Sequence, residues 1–218
     1  KKIIDILTID NFTNYQNGNL VQEFYPGNSD GVSIDEFQDS ELYKYLDTTD
    51  ESQMEYFEKL IASYKNFLSF LSNDEVVIDY QYLWDIVSMP NKDLFPNGIN
   101  LVIFEIPEDD VTGNVEIVCP TNHYSSVLYN DKKVTLILVK KENFFEPIYL
   151  YDNMKKNVTR FMFREQTLVG KPNIKVALAK VREFLTTKCK PLQSLPKVYT
   201  FETNITLDTV LQKLENHI

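Results

Sequence analysis

Met54, Phe57, Leu60, Ile61, Tyr64, Phe67, Leu68 and Leu71 recur every three or four residues. That is the repeat of a single helix face, and it predicts a helix from Asp50 to Leu71. Upstream, Ser33 and Glu36 form a capping box ahead of a second apolar series, Ile34, Phe37, Leu42, Tyr45 and Leu46, which predicts a helix over residues 34–46. Asp79 stands where it caps a short helix from Tyr80 to Ser88, which must stop near Pro90 because the residue before proline avoids the α region. The opening, Ile3 to Phe24, has short apolar pieces broken by asparagines and an Asn17-Gly18 turn signal, the pattern of a hairpin-like lead-in.

The period changes at Asn97-Gly98. Residues 99–106, 115–119, 134–139, 145–151 and 158–163 are short, β-branched or aromatic runs bounded by Pro, Gly, Asn and Asp, so five strands are predicted. Runs 134–139 and 145–151 are close enough to form an antiparallel hairpin, with Pro147 placing the second at an edge or bulge. Ile174, Ala177, Leu178, Val181, Phe184 and Leu185 make the stripe of a helix over 174–187, and Thr206 caps another from Leu207 onward. Helices, then strands, then helices imply an α+β fold. The expectation is a single domain over 1–218, its helical part at about 33–90, a mixed or antiparallel sheet of about five strands at about 98–163, and C-terminal helices at about 173–218.

Composition adds a protein with apolar residues enough for a core, 43% of 218, and a net charge of −10. The average conceals a polarity: residues 1–110 carry 6 basic and 22 acidic side chains, residues 111–218 carry 16 and 10. The longest apolar runs, such as Leu101 to Phe104, are far short of the roughly 20 residues of a membrane span, so no membrane partner is expected. Two cysteines 70 positions apart, Cys119 and Cys189, make neither a disulfide framework nor a four-ligand zinc site, which suggests a reducing compartment. No secretory leader is visible at the start, and the chain reads as a segment of a longer protein.

Three patterns bear on chemistry. Cys119 and His123 suggest a nucleophile and base, but Pro120 follows the cysteine and no third group is fixed by spacing, so burial of Cys119 is the simpler expectation. Asp109, Asp110 and Glu116 are placed as strand-end carboxylates that could hold Mg²⁺ for phosphodiester cleavage, as in a restriction-endonuclease-like site; the lysine expected two residues after Glu116 is replaced by Val118, and the acidic run also reads as a solvated turn. Trp84 reads as core, and Asp85 beside it as solvent-exposed. The basic segment is broader: ten cations and two acids between Lys155 and Lys190, with Lys171, Lys175 and Arg182 near one helix face and Arg160 and Arg164 ahead of them. Such a strip suits phosphate or partner binding, but the −16 of the first half would repel nucleic acid, so pairing with a protein or with the parent chain itself is favoured.

Frequent Asn, Ile, Lys, Tyr and Phe with only three Ala and three Arg are the usage of an AT-rich genome. The runs Tyr15–Val21, Tyr82–Asp85, Gly98–Leu101, Cys119–Ser125 and Phe145–Tyr149 resemble segments of large proteins of giant, mimivirus-like DNA viruses. The resemblance implies a viral protein in the host cytoplasm or virion and carries over no catalytic residue. The reading is a non-catalytic interaction domain that binds a protein partner or its own chain through a charge-polarised surface, needing no cofactor; the alternative is a nucleic-acid-binding or Mg²⁺-dependent nuclease-like domain.

Overall fold

The computed structural model describes residues 3–108, 114–120, 128–165, 168 and 172–189. The helix predicted from Leu207 lies outside them. The fold class is α+β, as the alternation of periods implied, and the chain divides into two compact units.

The helical unit contains Leu7–Asn14 and Gly18–Val76. Its organising element is α4, Glu51–Ser72, capped by Asp50, whose carboxylate accepts the Ser52 and Gln53 amides at 2.9 and 3.3 Å. Phe57, Leu60, Ile61, Tyr64, Phe67 and Leu71 lie on its buried side, the stripe read from the sequence. In place of a hairpin, the lead-in forms two short helices, α1 (Ile9–Phe12) and α2 (Asn19–Glu23). The reason is packing: Phe12 stacks against Tyr64 and Phe67, while Tyr64 Oη donates to the Leu7 carbonyl and Ser63 Oγ to the Val21 carbonyl, both at 2.8 Å. The expected helix over 34–46 is broken into a single 3₁₀ turn, Asp35–Phe37, and α3, Glu41–Lys44. Ser40 and Asp10 intervene: Ser40 Oγ accepts the Tyr43 amide, and the Asp10 carboxylate accepts those of Glu41 and Leu42 at 3.3 and 2.9 Å, so a new helix N-terminus is made where the first would have continued.

Among the described residues, the sheet unit takes 3–6, Tyr15–Asn17 and those from Val77 to Cys189. It begins with α5, Tyr80–Ser88, capped by Asp79 as predicted. The main sheet has β1 (Ile99–Ile106), β2 (Glu116–Ile117), β3 (Val134–Lys141) and β4 (Phe144–Pro147) in the order β2-β1-β3-β4. β1 and β3 run parallel over eight residue pairs, and the other pairings are antiparallel. The expected hairpin is present, its turn reduced to Glu142-Asn143, and Pro147 is on the edge strand. The run 145–151 is split after Pro147, so that β5 (Leu150–Asp152) pairs with β6 (Asn157–Arg160) in a separate two-stranded hairpin. The last strand, β7 (Met162–Phe163), returns to pair with Thr135 and Leu136 of β3.

Side-chain alternation along β1 and β3 explains the layering. Leu101, Ile103, Leu136 and Leu138 point to the face on which Trp84 and Tyr80 of α5 pack. Val102, Ile137 and Phe163 point to the opposite face, which is covered by Leu178, Val181 and Leu185 of α6 (Pro172–Thr187). β1 is therefore buried on both faces, which is why it reads as a continuous apolar run. The parallel pairing is pinned at its start by a buried polar cluster: Asn100 Nδ2 donates to Asn130 O at 2.7 Å and to Thr135 Oγ1 at 3.1 Å, and Asn100 Oδ1 accepts the Asn130 amide. Ala177, expected in the α6 stripe, is exposed.

A disulfide, Cys119–Cys189, joins the segment after β2 to the end of α6, with Cα atoms 5.4 Å apart. This corrects the sequence reading, in which a separation of 70 positions hid the pairing, and it does not favour the reducing compartment expected there. No helix among the described residues is long and apolar enough to cross a membrane.

Candidate functional site

Of the sequence-predicted site residues, the structure describes Glu116, Cys119, Arg160, Arg164, Lys175 and Arg182. Asp109, Asp110, His123 and Lys171 lie outside the described residues. Cys119 is exposed, against the expectation of burial, and its sulfur is bonded to Cys189, so the nucleophile reading has no thiolate to work with. On α6, Lys175 is exposed, while Arg182 is drawn into an ion pair with Glu165 at 3.4 Å. Arg160 and Arg164 are exposed, on β6 and just after β7. The described part of the basic segment is thus spread over a hairpin and a helix, and Arg182 on that helix is already matched.

Glu116 has neighbours that the sequence did not suggest. It is in register with Glu105 on β1, which is in register with Lys140 on β3, so the three stand in one row on the α5 face of the sheet. Lys140 Nζ donates to Glu105 Oε1 at 2.5 Å and lies 5.5 Å from the centre of the Tyr80 ring. The hydrogen bond to Glu105 raises the Lys140 pKa from its ordinary value. Lys140 is two strands from Glu116, and its charge is spent on Glu105. Among the described residues no group of three or more His, Cys, Asp or Glu could hold a metal ion.

Asp85 is the other correction. Read as exposed, it is 1% accessible, and its Oδ2 accepts the Gln16 amide at 2.6 Å. Gln16, Asn17 and Gly18 all have positive φ (48°, 57° and 84°), an arrangement that needs external support in non-glycine residues. The buried carboxylate, with the bond from Gln16 Nε2 to the Gln81 carbonyl, supplies that support. Asp85 is therefore a structural residue. Trp84 is core, as predicted.

The segment from β4 through β6 is different in kind. Of eleven exposed large hydrophobic side chains among the described residues, seven fall within it: Phe144, Phe145, Tyr149, Tyr151, Met154, Val158 and Phe161. Met154 is 95% accessible at the tip of the β5–β6 hairpin, in a turn held by Asp152 Oδ1, which accepts the Met154 and Lys155 amides at 2.9 and 3.1 Å. Tyr151 and Val158 are cross-strand partners and each is half-accessible, so this pair faces outward, whereas Leu150 packs inward beneath α6. Lys155, Lys156 and Arg160 are exposed along the same hairpin.

No protein-family model matches the chain, and no curated protein or solved structure matches it. What it can do must be argued from this surface. Apolar side chains at this density in solvent cost solubility unless something covers them, and interleaved cations favour a partner that is not itself basic. Ile106, Val139, Lys141, Glu142, Phe144 and Glu146 line an open cavity of about 350 Å³ at the carboxyl ends of β1 and β3, on the face packed by α6. Sequence reasoning missed this surface because aromatic residues in short strands read as core; the one hint was Pro147, which marked an edge.

Proposed function

We propose that this protein is a non-catalytic binding module whose contact surface is the β4–β6 segment, residues 144–161, and that its partner is a protein or another part of the parent chain. The observation that carries the reading is the concentration of exposed apolar side chains there, seven of eleven, beside Lys155, Lys156 and Arg160. Tyr, Phe and Met are the residue types enriched in protein interfaces. A second support is electrostatic: the helical unit carries carboxylates in large excess and Lys44 and Lys65 are already paired with Glu41 and Glu36, so attraction to an acidic surface has to come from the opposite half of the chain.

The test is capture from the native source with wild-type protein and a Tyr151→Ser/Met154→Ser/Phe161→Ser variant, compared at equal folded concentration. The reading expects a partner bound by the wild type and lost by the variant. A partner retained by both removes this surface from the function.

One observation favours a second reading, the Mg²⁺-dependent nuclease: Glu116, Glu105 and Lys140 share one row of the sheet. Mg²⁺- or Mn²⁺-supported cleavage by the wild type, lost in Glu116→Ala, would replace the binding reading with this one.

A further inference from the structure

The cavity beside Phe144 indicates what the partner presents, and the inference rests on the binding surface proposed above. Ile106, Val139 and Phe144, the last 72% accessible, are the apolar part of its lining. Three charged residues complete the lining: Glu142, Glu146 and Lys141. None of the three has an ion-pair or side-chain hydrogen-bond partner among the described residues, in contrast to Lys140 and Glu105 on the opposite face. Two carboxylates against one ammonium leave the rim negative.

The β4 edge itself offers little to an added strand. The Ile148 amide donates to the Ile137 carbonyl at 2.9 Å, so it faces β3. By strand alternation the amides of Phe144 and Glu146 face the same way, and Pro147 has none. Phe145 is left as the single outward donor, too few to hold a strand by backbone pairing. Recognition here must use a side chain.

We infer that the cavity is a socket for an arginine side chain carried by the protein partner. A volume of about 350 Å³ is at the small end for ligand pockets, the size of a side chain with some adjoining backbone. The arginine stem is apolar and matches Ile106 and Val139. Its planar guanidinium stacks on an exposed aromatic face, as Phe144 provides, and its forked donors serve two carboxylates at once, as Glu142 and Glu146 require. A lysine places a point charge there without the plane or the fork. Phosphate would meet both carboxylates, so nucleic acid is disfavoured at this position. Glu142 sits in the turn at φ 54°, a conformation that favours glycine, so Glu142→Gly relaxes the backbone while it deletes one carboxylate.

The probe is a capped pentapeptide with arginine between two leucines, titrated into the whole ¹⁵N-labelled chain, with citrulline and lysine counterparts and oligothymidylate as comparisons. The expected result is amide shifts centred on Ile106, Val139 and residues 141–146, with citrulline binding weaker by at least about tenfold and Glu142→Gln/Glu146→Gln weaker by a similar factor. Glu142→Gly should bind more weakly than wild type while unfolding at higher denaturant. Equal shifts from citrulline, shifts at these residues from oligothymidylate, or no shifts there from the arginine peptide would each overturn the inference. If Glu142→Gln/Glu146→Gln still captures the native partner that Tyr151→Ser/Met154→Ser/Phe161→Ser loses, the binding surface stands and the arginine socket falls.

Discussion

Removing the Cys119–Cys189 bond should destabilise the sheet unit by an amount set by the length of chain it closes. The sequence separation is 70 residues, and the loop contains β3 to β7 and all of α6. Closing a loop of that length in the unfolded chain removes entropy worth about 4 kcal/mol at 25 °C. The buried position of Cys189, against α6 and Leu168, means that a Cys119→Ser/Cys189→Ser variant also places a hydroxyl among apolar groups, so the substitution should cost somewhat more than reduction with the thiols left in place. Urea unfolding followed by fluorescence of Trp84, the sole tryptophan and buried in the same unit, gives the comparison directly. Oxidised protein should unfold at higher urea than reduced protein, with a smaller m-value, because the cross-link keeps its unfolded ensemble more compact. Thiol titration in denaturant should find no free thiol before reduction and two after. Two free thiols before reduction, or superimposable unfolding curves once reduction is complete, would refute the reasoning.

Three further outcomes follow from the packing. Gly98→Ala should cost roughly 3 kcal/mol or more, because φ there is +65° and the added Cβ would lie 2.0 Å from the Ser88 carbonyl oxygen, which also accepts a bond from Lys133 Nζ; a loss under about 1 kcal/mol in urea would contradict it. Asp85→Ala should cost about 1.5–3 kcal/mol by removing the acceptor of the Gln16 amide, and a melting temperature equal to that of the wild type would show that the left-handed run supports itself. Stability should fall above about pH 10: burial raises the pKa of Tyr56, Tyr64, Tyr80 and Tyr129, and the bond to Glu105 raises that of Lys140, so each folded-state value exceeds the unfolded one. The contribution of these groups is complete below their unfolded pKa values and is lost as pH rises through the folded ones; tyrosinate absorbance and thermal melts between pH 8 and 11 read both, and flat melts would oppose the assignment.

How far the sequence carried depended on how many residues voted for each element. α4 was legible because eight apolar positions agree on one period, and β1 because a buried strand needs no alternation. The lead-in was misread because its apolar pieces are too short to define a period, and tertiary contacts of Phe12, Tyr64 and Ser63 decided for helix. Ser40 and Asp10 split the helix expected over 34–46 through a bond between residues more than thirty apart, which no local pattern contains. Asp85 was misplaced for a similar reason, since its charge argued for solvent while the Gln16 amide that justifies burial comes from the far end of the sequence. The proposed surface was the least legible part. Tyr149, Tyr151, Val158 and Phe161 have the composition of core strands, and only the departure of β5 and β6 from the main sheet leaves them exposed.

The proposed function requires that the β4–β6 surface be covered by a protein when the molecule is at work. The direct measurement is photo-crosslinking in the cells that produce the protein, with a benzophenone amino acid at Met154 and, as a control, at Val77, which is 79% accessible and outside the surface. A discrete protein adduct from position 154, absent at 77 and abolished by Tyr151→Ser/Phe161→Ser, is the predicted result. Identical adducts from both positions, or a nucleic-acid adduct at 154, would contradict it.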